Sequence, residues 1–198
     1  MRYLPADRYT ADIRVVNDGD ADFPISALPV RAGLRRLVQR RGMAWYKLSD
    51  LTAEIRAAAA ASRGRIDLLH YLDGEHSAQY FPRVRRLLRT GRTRVIATYH
   101  QPAALLPQLV RRDVVQRLDA VTLVSETQRP FFHGLLPEDR IFVIPHGIDT
   151  EAFRPPAART DEAFFRCISV GHYLRDYEAV AAVAKRFLDD ESIRFDIV

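Results

Sequence analysis

Short apolar runs alternate along the chain with longer stretches of helical period. Asp12 to Val16, Ile66 to Tyr71, Arg94 to Thr98, Ala120 to Val124 and Ile141 to Ile144 read as strands, several of them apolar at consecutive positions as in sheets buried on both faces. Between them, Leu48, Leu51, Ile55 and Ala58 keep the spacing of one helix face, and Ser125 with Gln128 forms a capping box at the start of another helix. Strands separated by helical stretches need right-handed crossovers. The pattern therefore implies an α/β fold with a Rossmann-like parallel sheet, whose ligands sit beyond the carboxyl ends of the strands.

The pattern breaks at Arg154-Pro155-Pro156-Ala157-Ala158-Arg159, a proline-bearing segment without period that reads as a linker. A first domain over 1–153, a linker over 154–162 and a second unit over 163–198 are expected. The second unit holds a strand at Arg166 to Val170, the turn at Gly171, a helix with Leu174, Tyr177, Ala181, Ala184 and Leu188 on one face, and a strand from Arg194 to Val198. It reads as the first β-α-β of another Rossmann-like domain.

Composition narrows the chemistry. The 198 residues are 47% apolar and 28% charged, enough for a real core, and the net charge of +5 is too small to argue for nucleic acid. Lys47 and Lys185 are the only lysines, so the positive charge is almost all guanidinium. Cys167 is the single cysteine, which excludes an intrachain disulfide or a cysteine-based zinc site and fits a reducing compartment. The expectation is a soluble, cytoplasmic protein, since no apolar run has the length of a membrane span. With no G-x-G spacing and no G-K-[ST], the usual NAD and ATP fingerprints are missing.

The most specific motif is Arg140-Ile-Phe-Val-Ile-Pro-His-Gly-Ile-Asp-Thr-Glu-Ala-Phe-Arg-Pro155, preceded by Leu118-Asp-Ala-Val-Thr-Leu-Val-Ser-Glu126. Physically it is a buried strand ended by Pro145, a turn for which Gly147 supplies an unusual backbone conformation, and Phe153 placed to pin the linker. It resembles the hinge element of the GT-B-fold glycosyltransferases, specifically the retaining group called family 4. Asp67-Leu-Leu-His-Tyr-Leu-Asp-Gly-Glu-His76, Val95-Ile-Ala-Thr-Tyr-His-Gln-Pro102 and Cys167-Ile-Ser-Val-Gly-His172 resemble three further family elements in the same order.

The resemblance implies transfer of a sugar from a nucleotide-sugar donor, itself a co-substrate, with no separate cofactor and no metal. It implies that the second domain holds the donor and the first the acceptor. His100 matches the family histidine at a strand end in the cleft, with a plain strand-end cap as the alternative. Gly171 matches the turn that lets donor phosphate approach backbone amides. The family follows that glycine with Arg and, about six positions later, Lys; here His172 and Glu178 stand there, leaving Arg175 as a substitute grip. His146 takes the place of the usual hinge Asn. Measured against the family, one βα unit is expected to be missing at the start and most of the donor domain at the end, so that these residues alone are expected not to transfer sugar.

His70, Asp73, Glu75 and His76 carry metal-ligating groups within seven residues, but strand alternation separates the histidines. Asp73 and Glu75 are expected to line the acceptor cleft or to cap the following helix. Two runs free of acidic residues, Arg31, Arg35, Arg36, Arg40 and Arg41, then Arg83, Arg85, Arg86, Arg89, Arg92 and Arg94, read either as solvated helix faces or as a peripheral contact with an anionic membrane. The donor nucleotide and sugar, and whether the acceptor is a sugar, a lipid-linked group or a protein, are not readable. A non-catalytic sugar-binding domain and a nucleotide-sugar epimerase are the competing functions.

Overall fold

The computed structural model describes residues 5, 7–16, 20, 22–41, 45–88, 90, 92–155, 163–171 and 176–197. The chain divides into two compact units, Met1–Gly147 and Ile148–Val198.

The first unit opens with α1 (Leu28–Arg41) and α2 (Leu48–Ser62), followed by β1 (Leu68–Tyr71) and the short helices α3 (Gly74–Ser77) and α4 (Phe81–Val84). Then come β2 (Arg94–Tyr99), α5 (Leu106–Leu109), α6 (Arg112–Val115), β3 (Ala120–Leu123), α7 (Arg129–Phe132) and β4 (Ile141–Val143). The four strands form one sheet in the order β1-β2-β3-β4, every neighbouring pair parallel. This is the mixed α/β, Rossmann-like architecture expected from the strand-helix alternation.

Parallel strands here alternate in burial, where consecutive apolar residues implied cover on both faces. Tyr71, Val95, Ala97, Tyr99, Val121, Leu123 and Ile141 are buried on one face against Phe81, Leu106, Val114, Val115 and Phe132. On the other, Leu68 and Phe142 stay exposed, and a polar row crosses the strands: His70 Nε2 meets Thr98 Oγ1 at 2.7 Å, and Thr98 in turn meets Thr122.

Three sequence expectations are corrected in this unit. Residues 12–16 run outside any described sheet, with Ile13 and Val15 exposed; a strand without a pairing partner has nothing to satisfy its backbone. In α2 the expected apolar stripe is buried only in part: Leu48 is buried and Leu51 and Ala58 pack half-buried against the core, but Ile55 is 57% exposed while the polar Thr52 and Glu54 are buried. The helix is turned to bring Glu54 onto five donors: Tyr46 Oη at 2.6 Å, Tyr71 Oη at 2.9 Å, and the backbone N–H groups of Gln79, Tyr80 and Phe81 at 3.0, 2.7 and 3.2 Å. Hydrogen-bond demand outweighs the exposure of one isoleucine, since each orphaned buried donor costs about 1–3 kcal/mol. Gly147 has no positive φ, and a Cβ there would meet nothing within 4 Å, so its turn is open to other residues.

The second unit contains β5 (Phe165–Ser169), α8 (Tyr177–Lys185) and β6 (Ile193–Ile197), with β5 and β6 parallel. Asp176 caps α8 by accepting the Ala179 N–H at 2.9 Å. Phe153 is 70% exposed and does not pin the linker. Most of the expected linker, 156–162, and Leu174 on the expected helix face lie outside the described residues.

Candidate functional site

The carboxyl end of β2 carries His100, and the surrounding sequence is organised around that one residue. Gly74, first residue of α3, sits so close to β2 that a Cβ would come within 3.0 Å of Ala97 Cβ and of the Thr98 carbonyl, and 3.1 Å of Tyr99 Cζ. This approach drives the next residue, Glu75, wholly into the interior. Its Oε1 accepts the backbone N–H groups of His100 and of Gln101, the latter at 2.7 Å. Glu75 is therefore buried rather than exposed along a cleft, and it staples α3 to the turn after β2.

The same turn is gripped from the other side by Gln128. Its buried Nε2 donates to the carbonyls of Tyr99 at 3.1 Å and Gln101 at 2.8 Å, while its Oε1 accepts from Val124 N at 2.8 Å and Ser125 N at 3.0 Å. The expected capping box is formed, with Ser125 Oγ accepting Thr127 N at 3.2 Å, but the glutamine also ties β3's end to β2's. Spacing reveals the local half; the bonds to residues 27 and 29 positions away carry no sequence signal.

His100 is one-third exposed and stacks on His146, with centroids 5.1 Å apart and planes 25° from parallel. Its Nδ1 lies 3.9 Å from Glu75 Oε2, which has no hydrogen-bond partner among the described residues. Asp73 does not cap α3 through its side chain; both its oxygens meet His76 Nδ1, at 2.8 and 2.9 Å. Burial raises the Glu75 carboxyl above the ordinary glutamate range, against the pull of the Gln101 and His100 amides. Burial acts on Asp73 in the same sense, but the His76 ring outweighs it and holds Asp73 below its ordinary value. The proton affinities of the two neighbouring carboxyls are thus driven in opposite directions.

Of the metal-ligating residue types noted in the sequence, His70 is engaged with Thr98 and His76 with Asp73. Among the described residues, the donor atoms that do converge, within 4.8 Å of one another, are those of Asp73, Glu75 and His100.

The profile of Glycosyltransferase Family 4 matches residues 1–152. The chain belongs to that family. No curated protein matches it in sequence. Family membership supports glycosyl transfer as the general activity, with a sugar donor and an acceptor as its general partners.

In this family-4 chain the second unit holds Gly171, whose φ of +98° lies in the region that favours glycine, and whose carbonyl accepts the Tyr177 hydroxyl. Arg175 and His172 lie outside the described residues. The arginine runs are partly spent on internal partners: Arg83 donates to Asp113 at 2.8 Å, Arg85 and Arg94 pair with Asp119, and Arg31 and Arg35 meet Asp20. Those carboxylates come from distant segments, so a run without acidic residues in sequence is not one without them in space. No helix among the described residues is long and apolar enough to cross a membrane.

Proposed function

We propose that this chain forms part of a retaining GT-B glycosyltransferase that moves a sugar from a nucleotide-sugar donor to an acceptor in glycan, glycolipid or polysaccharide synthesis. The observation that carries this reading is a family-4 chain with His100 held rigidly at the carboxyl end of a parallel strand, where ligands of such sheets bind. His100 donates or accepts a hydrogen bond at the donor sugar or acceptor, with His146 and Asp73 beside it at the rim. In the second unit the Gly171 turn offers backbone amides to the donor phosphates, and Arg175 adds a guanidinium. The departing diphosphate is stabilised by such fixed donors rather than by a covalent enzyme intermediate. The nucleotide sugar is the only co-substrate this chemistry requires.

The test is a nucleotide-sugar panel read by thermal shift and by released UDP or GDP, run on this chain and on the longest reading frame containing it. A stabilising donor that also releases nucleotide into a glycosylated product supports transfer. Stabilisation without turnover identifies a degenerate sugar-binding domain, which the His172 and Glu178 departures favour, and epimer formation identifies an epimerase.

A further inference from the structure

Glu75 is the buried acid whose two oxygens have unequal surroundings. One accepts two amides of the turn that carries His100; the other, with no hydrogen-bond partner among the described residues, faces the His100 imidazole and the Asp73 carboxylate, which Glu75 helps to hold below its ordinary value. An orphaned buried carboxylate oxygen is costly, whereas a carboxylic acid can place a proton there and turn the orphan into a donor.

We propose that Glu75 is a positioning residue: as a neutral acid it holds the His100–Gln101 backbone through Oε1 and, through an O–H on Oε2, donates to His100 Nδ1, fixing the tautomer that carries its proton on Nε2. The 3.9 Å between Nδ1 and Oε2 closes to hydrogen-bond length with a small turn of the His100 side chain. The ring lies stacked on His146, with centroids 5.1 Å apart. The ring's far nitrogen then meets substrate as a donor, the form suited to a sugar hydroxyl or a phosphate oxygen. This step rests on the proposed contact of His100 with substrate; the assignment of the tautomer to Glu75 does not.

Glu75→Gln and Glu75→Ala separate the roles, because a glutamine amide reproduces both the acceptor and the donor of a neutral acid. Imidazole nitrogen correlation spectra of the 15N-labelled chain should show Nδ1 unprotonated and Nε2 protonated for His100 in wild type and in Glu75→Gln. A tautomer mixture is expected in Glu75→Ala, with amide-exchange protection at His100 and Gln101 falling at least tenfold. A protonated Nδ1 in wild type, or a tautomer changed by Glu75→Gln, overturns the proposal, and the glutamine variant decides it even where the alanine variant fails to fold. In the longest reading frame, Glu75→Ala should cost no further transfer rate once His100→Ala is present, and additive losses would contradict action through His100. Unchanged transfer in His100→Ala alone would sink the proposed substrate contact, while the spectra would still decide the role of Glu75.

Discussion

Glu54 and Glu75 are both buried glutamates, each pushed upward in proton affinity by burial, yet they sit in opposite situations. Glu54 lies between α2, β1 and the turn into α4 with five donors on its two oxygens. Glu75 lies buried beneath the turn after β2, with two donors on one oxygen and none on the other among the described residues. A saturated carboxylate has no capacity left for chemistry and acts as a tie between elements. A half-satisfied one retains an unused valence, and here that valence points at the histidine of the candidate site.

The contrast breaks most easily at Glu54. Replacing it with alanine orphans donors from three segments and should lower stability by about 3 kcal/mol or more, at about 1–3 kcal/mol per orphaned group, measured as a urea midpoint shift. A smaller loss than that of Glu75→Ala would reverse the assignment. Next comes Gly74→Ala. The new methyl has 3.0 Å to Ala97 Cβ and to the Thr98 carbonyl, so α3 must move outward. A cost of about 1–3 kcal/mol is expected, together with loss of amide protection at His100. Unchanged stability and protection would show that Glu75 does not depend on this approach.

Proton linkage sharpens the comparison through its sign. The carboxyl of Glu75 is raised, so its proton-linked stabilisation is complete below its unfolded value and is lost as pH rises through its folded value. Glu75→Gln, which keeps a neutral group, should therefore gain on wild type as pH rises. Asp119 is opposite. Burial opposes it, but Arg85, the Val95 N–H and Arg94 together hold it below 3.8, so its contribution is present above the ordinary aspartate range and lost as pH falls through its folded value. The gap between wild type and Asp119→Asn should close in acid. Either slope is limited to about 1.4 kcal/mol per pH unit for one proton, and equal signs in the two series would refute the assignment. The smallest effect is expected from Tyr71→Phe, below about 1 kcal/mol, because Glu54 keeps four other donors.

The parallel sheet was legible in the sequence because β2, β3 and β4 are short apolar runs set between helical stretches, and their observed bounds differ from the expected ones by a residue. Residues 12–16 have the same local character but no described pairing strand, and pairing is not a local property. His100 stood out in the sequence as a candidate through its motif. Its supports were not: Glu75 and Gln128 reach it across 25 to 29 residues of sequence, and Gly74 matters through a contact with β2 that no turn signal announces. Glu54 was hidden because a glutamate beside the apolar stripe of α2 reads as a solvent-facing residue, although the fold buries it with Leu48.

Turnover of His100→Ala, measured in the longest reading frame with the donor selected from the nucleotide-sugar panel, tests the functional reading most directly. Loss of a hydrogen bond made to the reacting sugar should lower kcat by about 100-fold or more. The melting temperature should stay within about 2 °C, because the ring is partly exposed and the turn remains held through backbone groups. Near-wild-type turnover accompanied by a large fall in melting temperature would contradict the account and identify His100 as a structural cap of β2.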